Sequence, residues 1–180
     1  MATLGVLEIM ARTRSKRAIL REELSERFIP YLRSRGFEQG GDASGADARS
    51  TSPFGMFERN HGTVTDIISI QFDKYRRAKF IVNFRKDPPE IVKFRSAKDN
   101  LGFVQLGRLH SRPRSARWFT MRTFLGFRSP EKCAKAIVDR LMILFPEVES
   151  WFKDGTMGDH IRLIPIPMLR AARDQAEGET

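Results

Sequence analysis

Residues 63–84, TVTDIISIQFDKYRRAKFIVNF, decide the fold. Val64, Ile68, Ile70 and Phe72 share one parity, and Phe80, Val82 and Phe84 share one parity after a polar break, the period-two pattern of strands with one buried face. The opposite parity mixes Thr65, Ile67, Ser69 and Gln71 with Lys79, Ile81, Asn83 and Arg85, so the second face is expected to be at least partly wet. The break, Asp73-Lys74-Tyr75-Arg76-Arg77, lacks glycine and is too long for a two-residue hairpin. A loop of about three to five residues built on a type I turn is expected. Asp66 interrupts the apolar parity; an edge position or a partner that reaches it is the expected reason, ahead of a catalytic role.

Upstream, Phe54 to Arg59 reads as a strand, and Asn60-His61-Gly62 supplies a hairpin turn with residues that accept positive φ. The three strands form an antiparallel meander that Asp87-Pro88-Pro89 breaks. Residues 38–52, EQGGDASGADARSTS, carry no large apolar side chain to offset their ordering entropy, and are expected as a mobile linker. Before them Ile19, Leu20, Leu24, Phe28, Tyr31 and Leu32 recur at helical spacing. Pro30 should bend or restart that helix, and Gly36 should stop it with Phe37 folded back on the last turn.

Downstream, residues 101–109 and 115–123 read as two more strands joined by the basic turn His110-Ser111-Arg112-Pro113-Arg114, with Gly102 and Gly107 suggesting a bulge or weak pairing. Ile91 to Phe94 carries no decisive pattern. Ser129-Pro130-Glu131 places a hydroxyl, a proline and an acid where a helix start favours them. Ala134, Ile137, Val138, Leu141, Leu144 and Phe145 then form a buried stripe, Pro146 is expected to end it, and 147–153 is expected as a second short helix. The fold expected is α+β, an antiparallel sheet of about five strands with two main helices packed on one face. Residues 1–14 are expected as an N-terminal arm, 15–153 as the domain including the 38–52 linker, and 154–180 as a C-terminal extension.

The helix end Tyr31-Leu32-Arg33-Ser34-Arg35-Gly36-Phe37, the strand Phe57-Glu58-Arg59, and the strands Ile70-Gln71-Phe72 and Phe80-Ile81-Val82-Asn83-Phe84 come in an order and spacing that resembles an uncharacterised bacterial family, domain-of-unknown-function family four-three-zero-four. The resemblance covers about residues 15–153, and the 38–52 insert departs from it. It implies a small α+β domain and brings no catalytic residues.

The chain has 180 residues, 41% hydrophobic, with 14 Phe, enough for a core without staples. Its one cysteine, Cys133, rules out an internal disulfide and any cysteine-rich zinc site, and suits a reducing compartment. No apolar run reaches the about 18–20 residues of a spanning helix, and the basic residues follow the N-terminal apolar run, the reverse of a secretory signal, so no membrane and a cytoplasmic location are expected. No cofactor is expected.

Lys and Arg number 32 against 22 Asp and Glu, a net charge of +10 that favours an anionic partner. Between Asp99 and Glu131 there is no acid, while Arg108, Arg112, Arg114, Arg117 and Arg122 interleave with His110, Trp118 and Phe119. Lys74, Arg76 and Arg77, with Lys79, extend this surface if their turn lies on the same edge. Trp118 and Phe119 fall on opposite faces of a strand, so one of them belongs to the core. The leading reading is a non-catalytic binding module whose basic surface meets an acidic protein; RNA or single-stranded DNA on the same patch, and an enzyme with an unrecognised site, are the alternatives. His61, His110 and His160 lack metal-ligand spacing, and no phosphate loop or nucleophile elbow is present.

Overall fold

A computed structural model describes residues 14–40, 51–88, 91–93, 102–122 and 129–167. Most of the expected N-terminal arm, the centre of the 38–52 linker, the ends of the 101–109 and 115–123 readings and the tail after 167 lie outside the described residues.

Ser15 caps helix α1 (Lys16–Glu23), its hydroxyl accepting from the Ala18 N–H at 3.1 Å. A π turn, Leu24–Phe28, separates α1 from α2 (Ile29–Ser34), so the wider turn comes just before Pro30 and absorbs the donor the proline lacks. Gly36, at φ 83°, closes α2. The Phe37 N–H bonds to the Leu32 carbonyl and the Gly36 N–H to the Arg33 carbonyl, a Schellman cap.

The strands are β1 (Glu38–Gln39), β2 (Met56–His61), β3 (Val64–Phe72), β4 (Lys79–Asp87), β5 (Ile91–Lys93), β6 (Gly102–Leu109), β7 (Phe119–Thr120) and β8 (Ile161–Pro167). They form one antiparallel sheet in which β1-β2-β3-β4-β6-β5 are successive neighbours, β7 also pairs with β4, and β8 with β6. Since β8 follows β6 from Phe103 to Leu109, it takes one whole edge of β6, and β4 and β5 share the other.

The α+β class with an antiparallel sheet is as the sequence predicts, but the described residues form eight strands in place of the five expected. Of the three additions, β1 is two residues long and carries no periodicity of its own, and β5 falls on the stretch from Ile91 that has no decisive pattern, whereas β7 is the short paired part of the 115–123 reading. The third is β8, which lies within the residues expected as an extension and contains Pro165 and Pro167. Among the described residues it pairs only with β6, and an edge strand tolerates residues without an N–H.

Val64 pairs with His61, which leaves Gly62 and Thr63 as a two-residue hairpin with Gly62 at φ 66°. The even positions of β3 and β4 face the helices: Ile68, Ile70, Phe72, Phe80, Val82 and Phe84 are all buried, as are Leu20, Leu24 and Phe28 opposite them. Across the other face the expectation of wetness holds at Thr65, Ser69 and Gln71 but not at Ile81, which is 0% exposed.

Helix α3 (Pro130–Asp154) is one element, not the two that Pro146 predicts. The proline is exposed, and Leu144 and Phe145 before it and Val148, Trp151 and Phe152 after it belong to one buried stripe. Sheet contacts on both sides of the proline outweigh a loss of about 3 kcal/mol in backbone bonding. Gly107 is no bulge. A Cβ there would stand 2.1 Å from a Phe84 ring carbon, and that ring packs edge-on against Trp151 at 5.0 Å and Phe152 at 5.7 Å. Glycine therefore lets the β4 side chain lie over β6 beneath α3.

Candidate functional site

The segment from His110 to Arg122 leaves β6, loops outward and returns as β7. Its neck is tied by the Ser111 N–H to the Arg117 carbonyl at 2.9 Å, while the Ser111 hydroxyl donates to the Arg117 and Trp118 carbonyls. Its tip is pinned where the Arg114 N–H meets the Asp159 carbonyl at 2.9 Å, with Arg114 at φ 50°. β7 then pairs Phe119 with Phe80 and Thr120 with Lys79. Phe119 is buried with its ring stacked 5.1 Å from that of Phe80, so strand alternation turns half-buried Trp118 away from the core.

Between this loop, β7 and the first half of α3 lies a concavity of about 630 Å³. Among the described residues five cationic side chains line it, Lys79, Arg112, Arg117, Arg122 and Arg140, together with Trp118, and no Asp or Glu does. Cys133 secures one wall from α3, its thiol lying 3.6 Å from the Arg122 carbonyl, which accepts. Arg140 is held from the far side. The His160 Nδ1 lies 2.6 Å from Glu147 Oε1, so Nδ1 carries the proton and Nε2, 3.3 Å from Arg140 Nη2, accepts from it.

Of the residues singled out in the sequence, Arg112, Arg117, Trp118 and Arg122 converge here. Lys74, Arg76 and Arg77 sit on the connection before β4. The Met121 N–H donates to the Ala78 carbonyl at 2.9 Å, which sets that connection beside the segment leaving β7. Arg77 is neutralised by Asp73, Nε to Oδ2 at 2.6 Å; this contact and nearby Lys79 hold the Asp73 carboxyl below the usual carboxylate range. Arg108 lies outside the pocket lining: its Nε donates to Asn83 Oδ1 at 3.0 Å on the helix-free face. Arg114 instead faces Asp159, Nε to Oδ1 at 3.7 Å. Arg140 was not legible as a member, because helical spacing groups it with Ala136 and Ile137 without saying which sheet edge that face meets.

A second concavity, about 550 Å³, shows the contrast. There Arg59, His61, Lys86 and Lys153 share the lining with Asp66 and Glu149, and Arg59 pairs with both acids. In the first pocket Arg112, Arg117 and Arg122 have no carboxylate within ion-pair distance among the described residues. Among the described residues no three His, Cys, Asp or Glu side chains converge as metal ligands would, and no helix is long and apolar enough to cross a membrane.

His110 is 3% exposed, and neither ring nitrogen has a hydrogen-bond partner among the described residues. Burial pushes its pKa below the ordinary imidazole value; the Arg117 backbone opposes this, and Arg162 and Arg108 reinforce it. The ring gains a proton at a lower pH in the fold than in the unfolded chain, where it does so near pH 6.5. Its contribution is thus complete above that pH and is lost as pH falls toward the lower folded value, at up to about 1.4 kcal/mol per pH unit. Urea titrations between pH 7.5 and 5 should show a smaller acid loss in His110→Phe than in the parent, and parallel curves would contradict the depressed pKa.

No protein family, curated protein or solved structure compared with the chain matches it.

Proposed function

We propose that this chain is a non-catalytic binding module whose pocket takes an anionic group of a larger partner. One observation carries the reading: Arg112, Arg117 and Arg122 converge with Lys79 and Arg140 on a concavity whose lining, among the described residues, holds no carboxylate. Like charges brought together repel, and the fold relieves such repulsion at Arg59 with Asp66 and Glu149 and at Arg77 and Lys79 with Asp73. Arg112, Arg117 and Arg122, which have no carboxylate partner among the described residues, are matched by an external anion, and their field raises the partner's encounter rate.

Guanidinium forks suit the planar or tetrahedral oxygens of carboxylate and phosphate, so an acidic protein segment and a nucleic-acid strand both present the right group. The pocket's hydroxyls argue against group transfer. Ser111 donates to the Arg117 and Trp118 carbonyls and Thr120 to the Trp118 carbonyl, which leaves neither poised beside a base. The family resemblance stays part of this reading and adds no chemistry to it. A cytoplasmic location is proposed with it, since the single free thiol, Cys133, is buried and suits a reducing compartment.

The test is charge reversal. Replacing Arg112, Arg117 and Arg122 together by Glu should weaken binding of a labelled polyanion, either polyglutamate or an oligonucleotide, by about 100-fold or more at low salt. Lys135→Glu, exposed on α3 outside the pocket lining, should change it little. Equal affinity of the triple variant and the parent would remove the pocket from consideration.

A further inference from the structure

We propose that the partner is a single-stranded nucleic acid, its phosphates held by Arg112, Arg117 and Arg122 and its bases met by the rings of Trp118 and Tyr75. This rests on the anionic-partner reading and adds the rings to it.

Charge alone does not separate a carboxylate chain from a phosphate chain; the aromatic side chains do. Trp118 lines the cationic concavity with the Lys79 Nζ 4.9 Å from its ring centroid. Tyr75, on the connection between β3 and β4, is 66% exposed and is the one aromatic among the large exposed apolar side chains of the described residues. Lys74 Nζ and Arg77 Cζ stand 5.0 and 5.1 Å from its ring centroid.

The two rings occupy one end of the sheet. Lys79 pairs with Thr120, and the Met121 N–H bonds to the Ala78 carbonyl, which joins the Tyr75 connection to β7, the strand that Trp118 immediately precedes. Each ring is thus an accessible or half-buried π surface set among cations. Bases stack on such surfaces whatever their identity, whereas an acidic peptide gains little from them. In a duplex the base faces are already stacked on one another, which selects an unpaired strand.

The concavity and the neighbouring turn together suit a short segment, of about four nucleotides or more. The phosphate contacts predict a steep salt response: three of them give a slope of about −2 in log K against log salt for a single strand.

The experiment is a fluorescence-anisotropy titration of the full chain with labelled twelve-nucleotide oligouridine, oligothymidine, a duplex of equal length and a polyglutamate peptide of equal charge. The single strands should bind at least about tenfold tighter than the duplex and the peptide. Trp118→Ala and Tyr75→Ala should each weaken single-strand binding by about fivefold or more, the equivalent of one lost base stack, and leave peptide binding unchanged. Trp118→Phe, which keeps a ring, should recover most of the loss, and thermal melts identify any variant that fails to fold. Peptide binding without single-strand binding would overturn this inference and leave the anionic-partner reading standing. Single-strand binding indifferent to both rings would also overturn it, and binding of none of the four probes would overturn both.

Discussion

Phe80→Ala is expected to lower stability by about 3–5 kcal/mol, the usual loss when a fully enclosed aromatic side chain is truncated. Phe80 is 0% exposed at the middle of a row of rings that crosses the sheet, with Phe72 5.9 Å away on β3 and Phe119 5.1 Å away on β7. Phe54 extends the row beyond Phe72 at 6.3 Å. The cavity left by alanine would sit directly between two strands' packing partners. β7 is only two residues long and depends on that contact more than on its own hydrogen bonds. Urea unfolding should show the lower midpoint at unchanged slope. Hydrogen exchange should show early loss of protection at the Met121 N–H, which bonds to the Ala78 carbonyl at the pocket edge. A loss below about 1 kcal/mol would mean the ring is not enclosed as described. The same stack that stabilises the core therefore positions Trp118 and Arg122, so binding of any polyanion should weaken in this variant as well.

How much of this was legible in sequence depends on how local the determining interaction is. The parities of β3 and β4 and the caps at Ser129 and Gly36 rest on neighbours in the chain, and the buried residues and cap bonds fall where those patterns place them. Gly107 misled in a different way. Glycine in a strand signals either a bulge or a close approach, and only the position of the Phe84 ring, more than twenty residues earlier, selects the second. β8 was hidden because its prolines are compatible with pairing only at an edge, and which strand is the edge is a property of the whole sheet. The arginines sort by the same rule. Their number is read from the sequence, but Arg77 and Arg114 are neutralised by acids that the fold supplies, and Arg140 joins the pocket from a distant helix. Charge density foretold a cationic surface; only tertiary pairing decides which of its members remain available.

Asp66→Ala is expected to cost about 2–3 kcal/mol, because it removes the charge-assisted bonds of a buried carboxylate and leaves the partly exposed Arg59 guanidinium with weaker partners. Asp66 is 2% exposed on the helix-facing side of β3, directly across from Arg59 of β2. Its Oδ2 accepts from Arg59 Nη2 at 2.9 Å and Nε at 3.2 Å, and His61 Nε2 lies 3.2 Å away. Arg59 in turn donates to the Arg35 carbonyl, which ends α2, and its guanidinium lies 4.3 Å from the Phe37 ring centroid. The interruption in the apolar parity of β3 is thus a clamp that joins two strands to the end of the N-terminal helix. Without the carboxylate, Arg59 keeps only Glu149, at 3.7 Å, as an acidic partner among the described residues. Asp66→Asn, which keeps an acceptor and the shape, should cost less. The double variant Arg59→Met/Asp66→Leu should recover most of the loss, since replacing both charges removes the burial cost along with the attraction. A structural role predicts that Asp66→Asn binds polyanion with parental affinity, because the clamp lines the other concavity and not the arginine pocket. A single-variant loss under about 1 kcal/mol, or a double variant less stable than Asp66→Ala, would show that the carboxylate is held for some purpose other than this pairing.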